Sequence, residues 1–142
     1  MMPRDDSESV GVVRRTIAAL NRLGLDEALD LMHPDVELRT PLLELWRTER
    51  EGHDRVREWF ERIEREWAFL ELYDVELEER RGQVLGRMRA RGRGKASRNE
   101  LDWELHVAAE VVDGRLARFA THLSRERALN AIQATLRGDA DG

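Results

Sequence analysis

Apolar residues at the start of the chain recur at the three-and-four spacing of an amphipathic helix. Val10, Val13, Ile17 and Leu20 form one stripe. An acidic leader (Asp5, Asp6, Ser7, Glu8) supplies capping groups and negative charge where a helix N-terminus favours them. Gly24 predicts a left-handed stop for that helix. Asp26 predicts the cap of a second, shorter helix that buries Ala28, Leu29 and Met32. That helix is expected to end at His33-Pro34, because the residue before a proline is pushed out of the helical region. Asp35 to Thr40 follows as the first strand, and residues 41–52 show no regular period. From Asp54 a second long helix sets Val56, Trp59, Phe60, Ile63 and Trp67 on one face and charges on the other.

After residue 70 the period shortens to two. Tyr73, Val75 and Leu77 alternate with acids, Arg81-Gly82 predicts a turn, and Gln83 to Arg91 runs back. Asn99 to Val112 reads as a long strand, Asp113-Gly114 as a two-residue hairpin turn, and Arg115 to Leu123 as the closing strand. Ser124 predicts the cap of a final helix carrying Ala128, Leu129, Ile132 and Leu136. Helices first and an antiparallel meander after them predict an α+β domain rather than a parallel sheet. Residues 1–8 are expected to be a disordered or frayed leader, 9–136 a single domain and 137–142 a frayed tail.

Composition narrows the classes of function. A chain of 142 residues is the size of one domain with a sizeable core. It carries 24 basic and 29 acidic residues, and the formal charge of −5 argues against nucleic acid or an anionic membrane as its partner. There is no cysteine, which excludes disulfides, thiolate chemistry and cysteine-based zinc sites. The four histidines lack HxH or HxxxH spacing, so neither a metal site nor a cofactor is expected. No stretch approaches the roughly 20 apolar residues of a membrane span, and the N-terminus lacks the apolar core of a signal peptide; a cytoplasmic protein is expected. Arg87 to Arg98 (RMRARGRGKASR) carries six basic residues and no acid. It holds no aromatic ring to stack on bases, so it reads as a solvated basic segment between strands, balanced by the acidic strand at 71–79.

Three segments carry a likeness beyond period and charge: VVRRTIAALNRLGLDEALDLMHPDVELRTP at 12–41, EGHDRVREWFERI at 51–63 and DGRLARFATHLSRERAL at 113–129. Together they resemble the polyketide-cyclase-like (SnoaL-like) branch of the nuclear-transport-factor-2-like superfamily, over roughly residues 9–130. The resemblance implies a cone, in which N-terminal helices and a strongly curved antiparallel sheet enclose one largely apolar pocket, and it implies a homodimer. The irregular segment at 41–52 would then cross the pocket mouth, giving cover to Leu42, Leu43, Leu45 and Trp46. No single reaction follows, since the superfamily spans isomerases, cyclases, dehydratases, hydrolases and proteins without catalysis. The ketosteroid isomerases among them use an aspartate base, with a tyrosine and a protonated aspartate holding the oxyanion. At the tyrosine this chain has Thr16, and at the general base it has Thr40. Threonine is neither acid nor base at neutral pH, so a ketosteroid-type isomerase is not expected. Near the second aspartate stands His106 or Ala108, depending on the hairpin gap.

What remains on the expected wall is Asp102, Glu104 and His106, which share one face of the long strand, with Trp103, Leu105 and Val107 on the other. His106 is the candidate proton carrier, Glu104 its partner, and Thr16 and Thr40 candidate hydrogen-bond donors. The corresponding chemistry is cofactor-independent acid–base catalysis, of isomerase, cyclase or dehydratase type, on a small hydrophobic molecule of polyketide or terpenoid kind. The plainer assignment gives the polar face to solvent and the tryptophan face to the core, and alternation alone does not choose between them. Leu38, Trp46, Trp59, Phe60, Phe119 and Thr121 complete the expected lining, while His122 faces outward by the same parity. His53 is expected to shape the start of the second long helix, with Asp54 as its cap, and His33 to sit at a helix end. The alternative function is a non-catalytic ligand-binding or dimerisation module, for which the face of Trp103, Leu105 and Val107 would support the dimer.

Overall fold

A computed structural model describes residues 7–41 and 50–124. Helix α1 (Glu8–Asn21) is capped by Ser7, whose hydroxyl accepts from the Val10 N–H at 3.1 Å, and it buries Val10, Val13, Ile17 and Leu20 as one stripe. Its stop comes one residue before Gly24. Leu23 takes the left-handed conformation at φ 54°. The Leu23 N–H donates to the Leu20 carbonyl at 3.1 Å, and the Gly24 N–H donates to the Ala19 carbonyl at 2.9 Å. These paired bonds close a Schellman motif around a leucine that is 41% exposed. Helix α2 (Leu25–Asp30) has Gly24 at its N-cap and no side-chain cap, so Asp26 contributes charge to the first turn rather than capping it.

Strand β1 (Met32–Arg39) already contains His33-Pro34, which the sequence places at a helix end. The proline is tolerated there because β1 is an edge strand whose register slips between Met32 and Glu37. Helix α3 (Gly52–Glu66) buries Val56, Trp59, Phe60 and Ile63. Trp67, expected on the same helix face, instead opens strand β2 (Trp67–Arg80). Strands β3 (Gln83–Gly94), β4 (Leu101–Val112) and β5 (Arg115–His122) follow. Both residues of Arg81-Gly82 and of Asp113-Gly114 have positive φ, as two-residue hairpin turns demand. The arginine-rich tract is therefore largely strand β3 and not a loop.

The sheet order is β1-β5-β4-β3-β2. Every neighbouring pair is antiparallel except β1 with β5, which is parallel. The curved, unclosed sheet is therefore mixed, where the sequence pattern predicts an antiparallel one. A non-local pairing of the first strand with the last leaves no trace in local periodicity. Strand β2 carries a bulge, with Asp74 at φ 55° and a register slip between Tyr73 and Glu76. The bulge splits the expected Tyr73, Val75, Leu77 face: Val75 and Leu77 pack against the core, whereas Tyr73 bonds to Asp102. It also brings the β2 backbone over Gly86, where a Cβ would lie 2.0 Å from the Glu76 carbonyl oxygen. The main core lies between α1, α3 and the inner face of β3, β4 and β5. Among the described residues, no helix is long and apolar enough to cross a membrane. Trp46 and the final helix predicted after Ser124 lie outside the described residues.

Gly52 opens α3 at φ 59°, and a Cβ there would sit 2.5 Å from the Pro34 carbonyl oxygen. Gly52→Ala is expected to destabilise the protein by about 2–4 kcal/mol, combining backbone strain with a steric clash. Gly82 has a similar φ of 79° and open space around it, so Gly82→Ala should cost about 1–2 kcal/mol. Denaturant titrations of the two variants check this; equal losses would contradict the close approach of α3 to β1.

Candidate functional site

Strand β4 carries the site. Trp103, Leu105 and Val107 stand opposite Ala90, Met88 and Gly86 of β3, on the face covered by the helices. Asp102, Glu104 and His106 stand opposite Arg91, Arg89 and Arg87, on the outer face. The orientation follows from hydration: the hydrocarbon stripe gains by cover, and the charged stripe would lose water without compensation. Trp103, Leu105 and Val107, the surface expected to support a dimer, therefore belong to the interior.

Inside the cone is a cavity of about 90 Å³. Leu38 of β1 and the following Thr40 and Pro41 form one wall, with Trp59 of α3 and Leu20 of α1 beside them. Leu70 and Leu72 of β2, Met88 and Ala90 of β3, Trp103 and Leu105 of β4, and Phe119 and Thr121 of β5 complete it. Of the inner row of β3, Met88 and the small Ala90 face the cavity, whereas the space over Gly86 and Gly92 is taken by atoms of β2. Two tryptophans are held by neighbouring rings: Trp59 meets Phe60 edge-on at 5.7 Å, and Trp103 lies tilted to Trp67 at 6.3 Å. No described lining residue is an acid, a base or a histidine.

Of the lining residues named from sequence, Leu38, Thr40, Trp59, Phe119 and Thr121 come together around this cavity. Thr16 is buried inside α1, where its hydroxyl donates to the Val12 carbonyl at 2.9 Å. Phe60 is buried in the core but does not line the cavity. His53 Nε2 lies 3.3 Å from the Met32 carbonyl and joins the start of α3 to β1, while the N-cap position is Glu51 and not Asp54. His33 Nδ1 accepts from the Asp35 N–H at 3.1 Å.

Arg55 was not singled out from sequence. It is buried, and its Nε donates to the Leu38 carbonyl at 2.8 Å and its Nη1 to the Arg50 carbonyl at 3.3 Å. This ties the end of β1, where Leu38 and Thr40 enter the cavity wall, to α3. The helical period held the signal: Arg55 shares the buried face of Val56, Trp59, Phe60 and Ile63.

The outer face has different chemistry. His106 Nε2 lies 3.6 Å from Glu104 Oε2, and His106 is paired across the strands with His122. His106 borders a groove of about 340 Å³ with Glu76, Glu78, Leu85 and Arg87. The basic tract is matched by acids on both neighbouring strands: Arg87 with Glu76 and Glu104, Arg89 with Asp102 at 2.7 Å, and Arg91 with Glu71 at 2.7 Å. The Tyr73 hydroxyl donates to Asp102, and that bond, followed by the Arg89 guanidinium, holds the Asp102 carboxyl below the usual aspartate range. Among the described residues, no group of three or more histidines and carboxylates could hold a metal ion.

Comparison with known proteins agrees with this geometry. The SnoaL-like domain family matches residues 13–119. A nuclear-transport-factor-2-like protein of unknown function from Burkholderia pseudomallei superposes with a TM-score of 0.72 at 20% identity, covering 90% of this chain and 99% of its own. TerC, crystallised with polyporic acid, gives a TM-score of 0.70 at 16% identity, with 89% and 99% covered. A protein from Catenulispora acidiphila with a ketosteroid-isomerase-like fold, in complex with trimethylamine, gives 0.69 at 11% identity, with 84% and 89% covered. At these identities the likeness is one of fold. No curated protein matches the sequence.

The Asp102 pairing sets a pH dependence. A carboxyl whose folded pKa is depressed contributes stability above its unfolded value of about 3.9, and that contribution is lost as pH falls through the lower folded value. Asp102→Asn should therefore melt lower than wild type at pH 7, with the gap closing below about pH 4. Thermal melts across pH 2–7 check this; a constant gap would contradict the pairing.

Proposed function

The chain belongs to the SnoaL-like domain family, in the nuclear-transport-factor-2-like superfamily, and on that premise we propose that its cone binds a small, neutral, mostly apolar molecule. The observation that carries this reading is the cavity wall, which apart from Thr40 and Thr121 is aromatic and aliphatic and has no ionisable group among its described residues. Such a wall favours hydrocarbon and penalises an unpaired charge. TerC was crystallised with polyporic acid and the Catenulispora protein in complex with trimethylamine, so small molecules accompany proteins of this fold. Within this cavity the protein acts as a binding module, because the described wall has no group to carry a proton.

Acid–base catalysis is the second reading, and the observation favouring it is Glu104 at 3.6 Å from His106 beside the outer groove. It requires a substrate in that groove, on the opposite side of the sheet from the cone. The two readings separate by mutation. His106→Ala should leave binding in the cavity within about twofold of wild type. Ala90→Leu places extra methyl groups into the cavity and should weaken binding at least about tenfold, without loss of thermal stability. Ethylbenzene is expected to raise the melting temperature of the full chain and benzoate to leave it unchanged. Stabilisation by benzoate alone, or ethylbenzene binding that survives Ala90→Leu and is lost in His106→Ala, would contradict the binding reading.

A further inference from the structure

We propose that Leu85, Ala108 and Ala120, at one end of the outer sheet face, form the docking surface for the segment of this chain that follows β5, residues 125–136. The cover is made in cis, on the side of the sheet opposite the cone. It is independent of what the cavity holds.

The row is defined by register. Leu85 of β3 stands opposite Ala108 of β4, and Ala108 stands opposite Ala120 of β5. Alternation puts all three on the outer face. Their sequence neighbours Val84, Val107, Ala109 and Phe119 belong to the inner core, and the three residues themselves do not. Yet Leu85 is 5% exposed, Ala108 3% and Ala120 0%. Elsewhere the same face is open: the Glu104 side chain is 41% exposed, and exposure falls to 15% at His106, the last outward residue of β4 before the row. Flanking side chains can shelter an alanine. A leucine beside Arg87 is another matter, because that guanidinium is drawn away to Glu76 and Glu104. Burial of this row calls for cover from above the sheet. The buried apolar side chains of the three described helices lie in the inner core instead.

The path of the chain identifies the occupant. These exposures are those of a single chain, so the row has its cover without a second copy. Strand β5 ends at His122, two residues beyond Ala120 and on the same face. The sequence then continues through Ser124 into Ala128, Leu129, Ile132 and Leu136, an apolar stripe at helical spacing with charged and amide residues between. A helix this short is marginal in water by itself, and its apolar stripe requires a surface to pack on. Twelve helical residues span about 18 Å at about 1.5 Å each. Crossing from β5 to β3 takes about 10 Å. The segment therefore has the reach to cover the whole row, and the two alanines leave room for its larger side chains.

The chain has no cysteine, so one introduced thiol reports the cover directly. In the full chain, reaction of Ala108→Cys with a soluble aromatic disulfide is expected to be slow, and unchanged on about hundredfold dilution. Adding Ile132→Asp should accelerate it at least about tenfold. The same addition should leave Ala109→Cys, one residue along on the inner face, as protected as before. If Ile132→Asp exposes both thiols, the sheet itself has opened, and the milder Ile132→Ser is read in its place. Selective exposure of position 108 supports the docking. Fast labelling of Ala108→Cys with residues 125–136 unaltered, or a rate that neither substitution at 132 raises, overturns it. Protection that weakens on dilution assigns the row to a second copy and overturns it as well.

Discussion

Strand β4 runs between β3 and β5 in the sheet, and its side chains alternate between hydrocarbon and charge through Asp102, Trp103, Glu104, Leu105, His106 and Val107. A strand in that position has two faces, and only one can be covered by helices without stripping water from acids. Covering Trp103, Leu105 and Val107 contributes about 1.5–3 kcal/mol for each large side chain taken out of water. Covering Glu104 and Asp102 instead would desolvate charge. That asymmetry commits α1 and α3 to the inner face and turns the arginines of β3 toward the acids of β2 and β4. The bulge at Asp74 and the glycines of β3 then let the sheet bend around the helices.

The same constraint separates two kinds of chemistry by the thickness of one sheet. Inside are rings, aliphatic side chains and a few neutral polar residues around the cavity. Outside are His106, Glu104, Arg87 and Glu76, arranged as a charged, hydrated ladder. Exposed pairs of this kind contribute little stability individually. They give the outer face a register, since each arginine of β3 meets an acid at a fixed cross-strand position. Arg55 joins the two halves of the cone from within, by donating to the carbonyl of Leu38 at the end of β1.

Much of this was legible in the sequence, and the misses have physical causes. The α1 stripe, the two hairpin turns and the alternation of β4 are local patterns, and local patterns survive folding. The stop of α1 shifted from Gly24 to Leu23 because paired backbone bonds outweighed the preference for glycine at a left-handed position. The proline in β1 misled because an edge strand with slipped register tolerates it. Parallel pairing of β1 with β5 and the bulge at Asp74 are non-local or one-residue events, invisible to a period of two. Parity put His106 and Trp103 on opposite faces of one strand, but which face the helices cover is a tertiary fact.

The most direct test is a crystal structure of the full chain under xenon pressure, because xenon enters apolar cavities and gives an anomalous signal that needs no assumption about the natural ligand. Xenon is expected in the cone, in contact with Trp59, Met88, Ala90 and Phe119. Xenon absent from the cone, with those side chains packed together and His106 facing an internal pocket, would contradict the orientation of β4 and the binding function built on it.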